Sequence, residues 1–355
     1  MKAILLAGGQ GSRLRPLTLN TPKPIVPIFD RPFLRYQIDL LKQVPDIDEI
    51  VLSLNYQPRR IEEVFGDGSE LGVRITYVVE PQPLGTGGAI KFAAGSGTRG
   101  PVVVFNGDVL TSVDLPAVLA LHRERQARAT IVLTPVDNPT AYGLVQTDAD
   151  HNVEAFLEKP SADQIDQIPC NTINAGIYVI EAETLDRIPA DTMYSIERGY
   201  FPSLIAGGET FVGYTYSGYW IDIGTREKYQ QVHHDIMTGR FVAPPFDAGA
   251  GLAVVSPEAR VDPEAIIEGP CFIDAGAVVR AGARIGAQSV IGAHCHIGEH
   301  AVVDGAILWP HTWVDHHAHL GPLVAGRHCQ FGRNVHVGGA ALLGDKSIIT
   351  DYSRS

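Results

Sequence analysis

The sequence is poor in sulfur and in positive charge. Its four cysteines, Cys170, Cys271, Cys295 and Cys329, include no C-x-x-C pair, which argues against a thiolate zinc site and a disulfide framework. They read as small buried hydrophobes. Lys and Arg number 28 against 40 Asp and Glu, leaving a formal charge of −12. Nucleic acid and anionic membranes both need a basic face to replace counterions, so neither is an expected partner. Long apolar runs are also missing: the longest near the start, residues 3–7, is too short for a signal-peptide core or a membrane span, and Gly8, Gly9 and Gly11 break up the stretch after it. The expectation is a soluble, cytoplasmic protein. Charged residues are only 19%, but 37 glycines and 24 prolines are too many for a helical bundle.

What is present divides into two kinds of pattern. Over residues 1–240, short apolar runs alternate with amphipathic stretches; residues 2–7, 50–55, 73–79, 102–105 and 129–134 read as strands. One helix is expected with Asp30 as N-cap, Pro32 in its first turn, Phe33, Leu34, Ile38 and Leu41 on one face, and Pro45 as its stop. This is α/β grammar, predicting a Rossmann-like, mostly parallel sheet with ligands at the carboxyl ends of its strands. Residues 241–253, rich in Pro, Gly and Ala, read as a linker. Over residues 254–355 aliphatics recur every six positions, at Val255, Val261, Ile267, Ile273, Val279, Ile285, Ile291, Ile297 and Val303, with a small residue four positions after most of them. That hexapeptide repeat resembles a left-handed parallel β-helix, each hexad forming one side of a triangular coil. The phase slips near Ile307 and Leu308, for which a short insertion or an end cap is the simplest reading, and resumes through Val314, Leu320, Phe331 and Val337.

The first strand runs into L6-A-G-G-Q-G-S-R-L-R-P-L-T18, followed by T21-P-K-P24. Glycines after a strand let backbone N–H groups approach an anion, and Arg13 and Lys23 supply fixed positive charge. The string is neither G-x-G-x-x-G nor a Walker A loop. It resembles the opening of the NDP-sugar pyrophosphorylases, Mg²⁺-dependent nucleotidyltransferases that join a nucleoside triphosphate to a sugar 1-phosphate and release pyrophosphate. The resemblance extends over nearly the whole chain: the G107-D and Y219-W-I-D-I-G motifs, L157-E-K-P, I173-N-A-G, S195-I-E-R-G-Y-F-P and Y142-G are all family-like.

The resemblance implies roles for particular residues. Leu6, Ala7, Gly8, Gly9, Gly11 and Ser12 would wrap the triphosphate, with Arg13 polarising the phosphates and Lys23 touching the α-phosphate region. Asp108 and Asp222 would hold Mg²⁺, making Arg13, Lys23, Asp108 and Asp222 the catalytic set. Gly143, Glu158, Lys159 and Asn174 would bind the sugar phosphate. Glu80, Gly85, Thr86 and Gly88 lie in the likeness of the base-binding loop. Thymidylyl- and uridylyl-transferring relatives tend to carry Gln where Glu80 stands. A carboxylate only accepts hydrogen bonds and suits the adjacent N1–H and N2–H₂ donors of guanine, which predicts GTP; the alternative is that Gln82 reads a pyrimidine. The likeness is to mannose-1-phosphate guanylyltransferases with a hexapeptide tail, so the expected partners are GTP and a hexose 1-phosphate. Glucose-1-phosphate thymidylyl- or uridylyltransferases and heptose-1-phosphate guanylyltransferases share most of the motifs. In S195-I-E-R-G-Y-F-P, Gly199 stands where the family commonly has an acidic residue.

Three rival readings concern the tail. Nine of 13 histidines lie beyond residue 290; His316, His317 and His319 follow no familiar ligand spacing, so they read as outward-facing residues rather than a metal site. A histidine-based acyltransferase is disfavoured by a tail of only about 100 residues. A non-catalytic, regulatory sugar-nucleotide-binding subunit should have lost charged cleft residues, all of which are present. The flat faces and open ends of a β-helix predict a homo-oligomer.

Overall fold

The computed structural model describes residues 1–159, 170–247, 249 and 251–355; Pro160 of the E-K-P motif and Ala248 and Ala250 of the expected linker lie outside the described residues. The chain forms two compact units, one made of Met1–Gly9 with Leu34–Asp222 and the other of Gln10–Phe33 with Ile223–Ser355. This division differs from the contiguous 1–240 and 254–355 domains expected from repeat grammar. Aromatic packing gives the reason. In the second unit, Phe29 sits 4.9 Å from the ring of His233 and 5.3 Å from those of Phe246 and Phe272, and Trp309 Nε1–H donates to the Tyr229 hydroxyl at 3.0 Å.

The first unit is built on a nine-stranded sheet. Lys2–Leu6 lies between Glu49–Leu54 and Pro101–Asn106, parallel to both, and Ile75–Val79 extends the parallel side. These strands are near-continuous aliphatic runs because both faces are covered; Ile4, Leu52 and Val104 are fully buried, and Ile90 and Ala93 of the helix Gly85–Ala94 share a core with Ile4 and Val104. Beyond Pro101–Asn106 the sheet turns antiparallel. Thr172–Glu181 pairs with that strand, with Ala129–Pro135 and with Gly143–Thr147, and Val153–Glu158 forms the edge. The expected mostly parallel sheet is therefore mixed. Antiparallel strands need only short connections, and a short link joins Gly143–Thr147 to Val153–Glu158. The expected helix runs Phe33–Leu41, but Asp30 and Pro32 are not its cap and first turn: Phe29 at φ 56° turns the chain so that Arg31–Pro32 pairs back on Pro27–Ile28.

The repeats of the second unit coil into three parallel sheets, the arrangement of a left-handed parallel β-helix. Val255, Ile273 and Ile291 stack on one side, Val261, Val279 and Ile297 on the next, Ile267, Ile285 and Val303 on the third. The phase slip is a deletion rather than an insertion or cap. Ile291 pairs with Leu308 and Leu308 with Ala325, because the sides from Val303 to Leu308 and from Leu320 to Ala325 have five residues instead of six. Both deletions fall at one corner in successive coils, where Gly305 lies beside Pro322, so the strand register survives. The corners also explain the histidines. His294, His300, His311, His317 and His328 all have φ between 55° and 64°, a left-handed conformation in which His is enriched and β-branched residues are strained. Cys271, Cys295 and Cys329 are buried free thiols, as expected, and burial pushes Cys295 up to about 12. Cys170 is half-buried.

His233 makes this unit pH-sensitive. Its Nδ1–H donates to Tyr229 O at 2.8 Å and Nε2 accepts the Phe29 N–H at 3.3 Å, so the ring is neutral. Burial lowers its pKa from 6.5 to about 4. A depressed histidine contributes stability that is complete above its unfolded pKa and declines as pH falls towards the folded value. Acidifying from about pH 6.5 to about pH 4 is expected to remove roughly 3 kcal/mol through this group. A thermal-melting series for the wild type and His233→Gln checks this: the wild type should show the steeper loss.

Candidate active site

The central strand delivers Leu6, Ala7, Gly8 and Gly9 to its carboxyl end. Ala7 N–H donates to Ser53 O and Gly107 N–H to Leu6 O, both at 2.9 Å. A Cβ on Gly107 would stand 2.3 Å from that Leu6 oxygen, so only glycine lets the G-D turn close against the loop. Gly8 is less tightly enclosed: a Cβ there would lie 3.2 Å from Asn55 N and 3.4 Å from Glu80 Oε1. Glu80, following Ile75–Val79, is thus beside the glycine loop. Its carboxylate accepts from Ser53 Oγ at 3.2 Å and from Leu84 N–H at 3.0 Å, whereas Gln82 is exposed.

At the start of helix Gly85–Ala94, glycine serves packing. Gly85 has φ 69°, and Cβ atoms on Gly85 and Gly88 would come within 2.8 Å of Tyr194 O and 2.6 Å of Thr192 O. The N–H groups of Gly87 and Gly88 donate to Tyr194 O at 2.9 and 3.2 Å, so the Gly88 donor is committed within the protein. Thr86 Oγ1 donates to Glu197 Oε2 at 2.7 Å and accepts Ile196 N–H at 2.9 Å. Ser195 Oγ donates to the same Glu197 oxygen at 2.6 Å. Gly199, the departure from the family's acidic residue, has its side-chain space filled by the Tyr194 ring, 2.4 Å from where a Cβ would be.

The two expected metal carboxylates are brought together by a small ribbon. Val109–Thr111 pairs antiparallel with Trp220–Asp222, and Asp222 stands opposite Val109, the residue after Asp108. Tyr142 Oη donates to Asp222 Oδ1 at 3.0 Å, and Trp220 Nε1–H donates to Ala175 O at 2.9 Å. Among the described residues there is no group of three or more His, Cys, Asp or Glu side chains able to hold a metal ion. Two all-oxygen carboxylates fit a hard divalent cation that takes its remaining ligands from phosphate and water.

The sugar-phosphate candidates share the antiparallel side of the sheet. Gly143 pairs with Glu158, and a Cβ at 143 would stand 2.9 Å from Glu158 Oε2. Burial, then the nearby Glu197, raises the Glu158 pKa, against the pull of Lys159 and Arg198. Lys159 Nζ lies 3.9 Å from Glu158 Oε1 and its side chain is 64% exposed, so its ammonium is open to an anionic partner. Asn174 Oδ1 accepts Gly176 N–H at 2.8 Å while Nδ2 donates to Tyr178 Oη at 2.9 Å. Next to Gly176, Asn106 Oδ1 is buried and accepts no hydrogen bond.

In the second unit, Gly11 at φ 60° leads into the turn Ser12–Leu14; a Cβ there would meet Lys23 Cβ and Thr18 Cγ2 at 3.1 Å. Thr18 Oγ1 donates to Gly11 O at 2.8 Å, tying the loop to its own continuation. The Arg13 guanidinium lies over Gly224, where a Cβ would be 2.7 Å from Nη2. Arg13 therefore packs on Gly224, within the second unit.

Residues 2–239 match the model of the nucleotidyl transferase family. The chain belongs to that family. Residues 266–353 match a second model, the GMPPB C-terminal domain, so the nucleotidyltransferase carries a recognised tail. The sequence is 42% identical over 260 residues to mannose-1-phosphate guanylyltransferase of Mycobacterium tuberculosis, covering 73% of this chain and 71% of the relative. It is 40% identical over 236 residues to probable mannose-1-phosphate guanylyltransferase 1 of Oryza sativa, covering 64% of this chain and 63% of that relative. Among solved structures, HddC from Yersinia pseudotuberculosis is similar with a TM-score of 0.56 and 28% identity, covering 66% of this chain and 99% of that one; it is also known complexed with GMP-PN.

Tyr142, Tyr194, Glu197 and Asn106 are the residues of this nucleotidyltransferase's candidate site that sequence reading left without a role. Tyr142 and Glu197 sat within the family-like strings A-Y-G and S-I-E-R-G, and could have been flagged there. No sequence signal marks Tyr194 as the filler above Gly199.

Proposed function

We propose that this protein transfers the guanylyl group of GTP to mannose 1-phosphate, releasing pyrophosphate and forming GDP-mannose. Glu80 carries the choice of base: its carboxylate is anchored by Ser53 and Leu84 beside Gly8 and offers only acceptors, which complements the donor edge of guanine and repels the acceptors of a pyrimidine. The names of the two guanylyltransferase relatives support the choice of sugar.

The sugar phosphate is already an ionised nucleophile, so the chemistry needs alignment and charge neutralisation rather than a strong base. Lys159 pairs with the sugar phosphate, Glu158 and Asn174 accept or donate to sugar hydroxyls, and Gly143 leaves room for the Glu158 carboxylate. Arg13 and Lys23 offset charge on the triphosphate and the departing pyrophosphate. Mg²⁺, held by Asp108 and Asp222 with phosphate oxygens, would supply the remaining neutralisation of the α-phosphoryl group. Tyr142 fixes the orientation of Asp222. No helix among the described residues is long and apolar enough to cross a membrane; a cytoplasmic location and self-association through β-helix faces bearing exposed Ile266, Trp313 and Ile348 complete the reading.

The test is a matrix of four nucleoside triphosphates against mannose, glucose and heptose 1-phosphates, scored by pyrophosphate release. GTP with mannose 1-phosphate is expected to give the highest kcat/KM, and a clear preference for another pair overturns the assignment. Glu80→Gln should reduce discrimination for GTP by about 1–3 kcal/mol; an unchanged preference would show that Glu80 does not read the base.

A further inference from the structure

The β-helix displays histidines that have no part in nucleotidyl transfer, and some of them form a built surface. On one outer face, His319 and His336 occupy matching positions in successive coils, their rings stacked at 5.5 Å. Arg354, from the coil beyond, pairs with His336 in an isolated parallel backbone bridge. At the adjoining corner His317 stacks on His300 at 5.1 Å, and Asn334 stands one coil later, both His317 and Asn334 in left-handed conformation. His317, His319, Asn334, Val335, His336 and Arg354 wall a groove of ≈ 430 Å³.

The composition of that wall is unusual for a chain of net charge −12: three imidazoles, a guanidinium and a carboxamide, with no side-chain carboxylate. Neighbouring acids turn to other partners. Asp351 is paired with Arg333 at 3.0 Å, and Asp315 and Glu299 lie 3.4 and 4.0 Å from His316. A Ser355 oxygen accepts Gly338 N–H at 3.0 Å.

We propose that this groove is a binding site for a phosphate-class oxyanion, distinct from the transfer site and independent of its assignment. Imidazole N–H groups and a guanidinium fork are the donors that recognise phosphoryl oxygens, and an ionised acceptor strengthens each hydrogen bond. The groove's volume exceeds what a single phosphate fills and suits a diphosphate or the phosphate end of a nucleotide. Arg354 and His336, adjacent across a parallel bridge, put a guanidinium and an imidazole on the same wall, an arrangement that a bound anion would stabilise.

Histidine NMR on the full-length protein tests this without reading catalysis. Titration with inorganic pyrophosphate at constant ionic strength is expected to shift the imidazole proton signals of His319 and His336, assigned with His319→Gln and His336→Gln, in a saturable way. Arg354→Gln should weaken the midpoint about tenfold, the scale of one charge-assisted hydrogen bond, while leaving pyrophosphate release in the transfer assay unchanged. Tighter binding of GDP than of pyrophosphate at these signals would identify a nucleotide as the source of the anion, and the reverse order a free phosphate; either supports the site. Signals that do not move, that move equally with chloride, or that move identically in Arg354→Gln overturn it.

Discussion

Asp108→Ala is expected to lower turnover by about three orders of magnitude or more, the scale seen when a group that stabilises transition-state charge is removed, while the protein remains folded. Asp108 follows the buried strand Pro101–Asn106 and the Gly107 turn, and its half-buried side chain is not part of the hydrophobic core. Deleting the carboxylate leaves the Gly107 contact with Leu6 and the ribbon between Val109–Thr111 and Trp220–Asp222 intact. The loss should therefore fall mainly on kcat, in a protein that still melts cooperatively. Chelation by EDTA should give the same inactive state in the wild type, reversed by Mg²⁺, whereas Asp108→Ala should stay slow in excess Mg²⁺. Full activity in Asp108→Ala, or in chelated wild type, would remove Asp108 from the metal-binding role.

How much of this could be read in advance depended on whether a residue's role is fixed by local spacing. The six-residue recurrence in the tail translates directly into coil sides, so the stack Ile273, Ile291 and its neighbours was legible from Val255 onward. The five-residue sides were not, because Gly305 and Pro322 mark a corner whose compensation appears only one coil away. In the first unit, the aliphatic runs announced strands, but direction depends on which partners the later strands find. Thr172–Glu181 takes three antiparallel neighbours, a choice that no window of sequence contains.

The site shows the same contrast. Asp108 and Asp222 are more than a hundred residues apart in the chain, and only their motifs indicated that they belong together; the pairing of Asp222 with Val109 supplies the physical reason. Gly85 and Gly88 read as nucleotide-loop glycines, yet much of the demand for glycine there comes from the Thr192–Tyr194 backbone. Glu197 lies in a family-like string that gave it no role. In the folded chain it gathers the Thr86 and Ser195 hydroxyls and, after burial, adds to the rise in the Glu158 pKa, which links the start of helix Gly85–Ala94 to Glu158 through one residue.

Arg13→Ala should slow pyrophosphate release by about 10²–10³-fold, mainly in kcat, because a fixed guanidinium matters most as charge develops on the leaving group. Gly224→Ala separates position from charge. A Cβ at 224 would stand 2.7 Å from Arg13 Nη2 and 2.9 Å from Cζ, but those atoms end a flexible side chain, so the guanidinium can move aside without disturbing backbone. The variant should fold with near-normal stability and retain all its charges, yet lose activity because Arg13 is displaced from its seat. Its kcat should fall between the wild type and Arg13→Ala, and adding Gly224→Ala to Arg13→Ala should cost little more, since two substitutions acting through one side chain are not additive. Additive losses in that double variant would mean that Gly224 serves the reaction by a route other than seating Arg13.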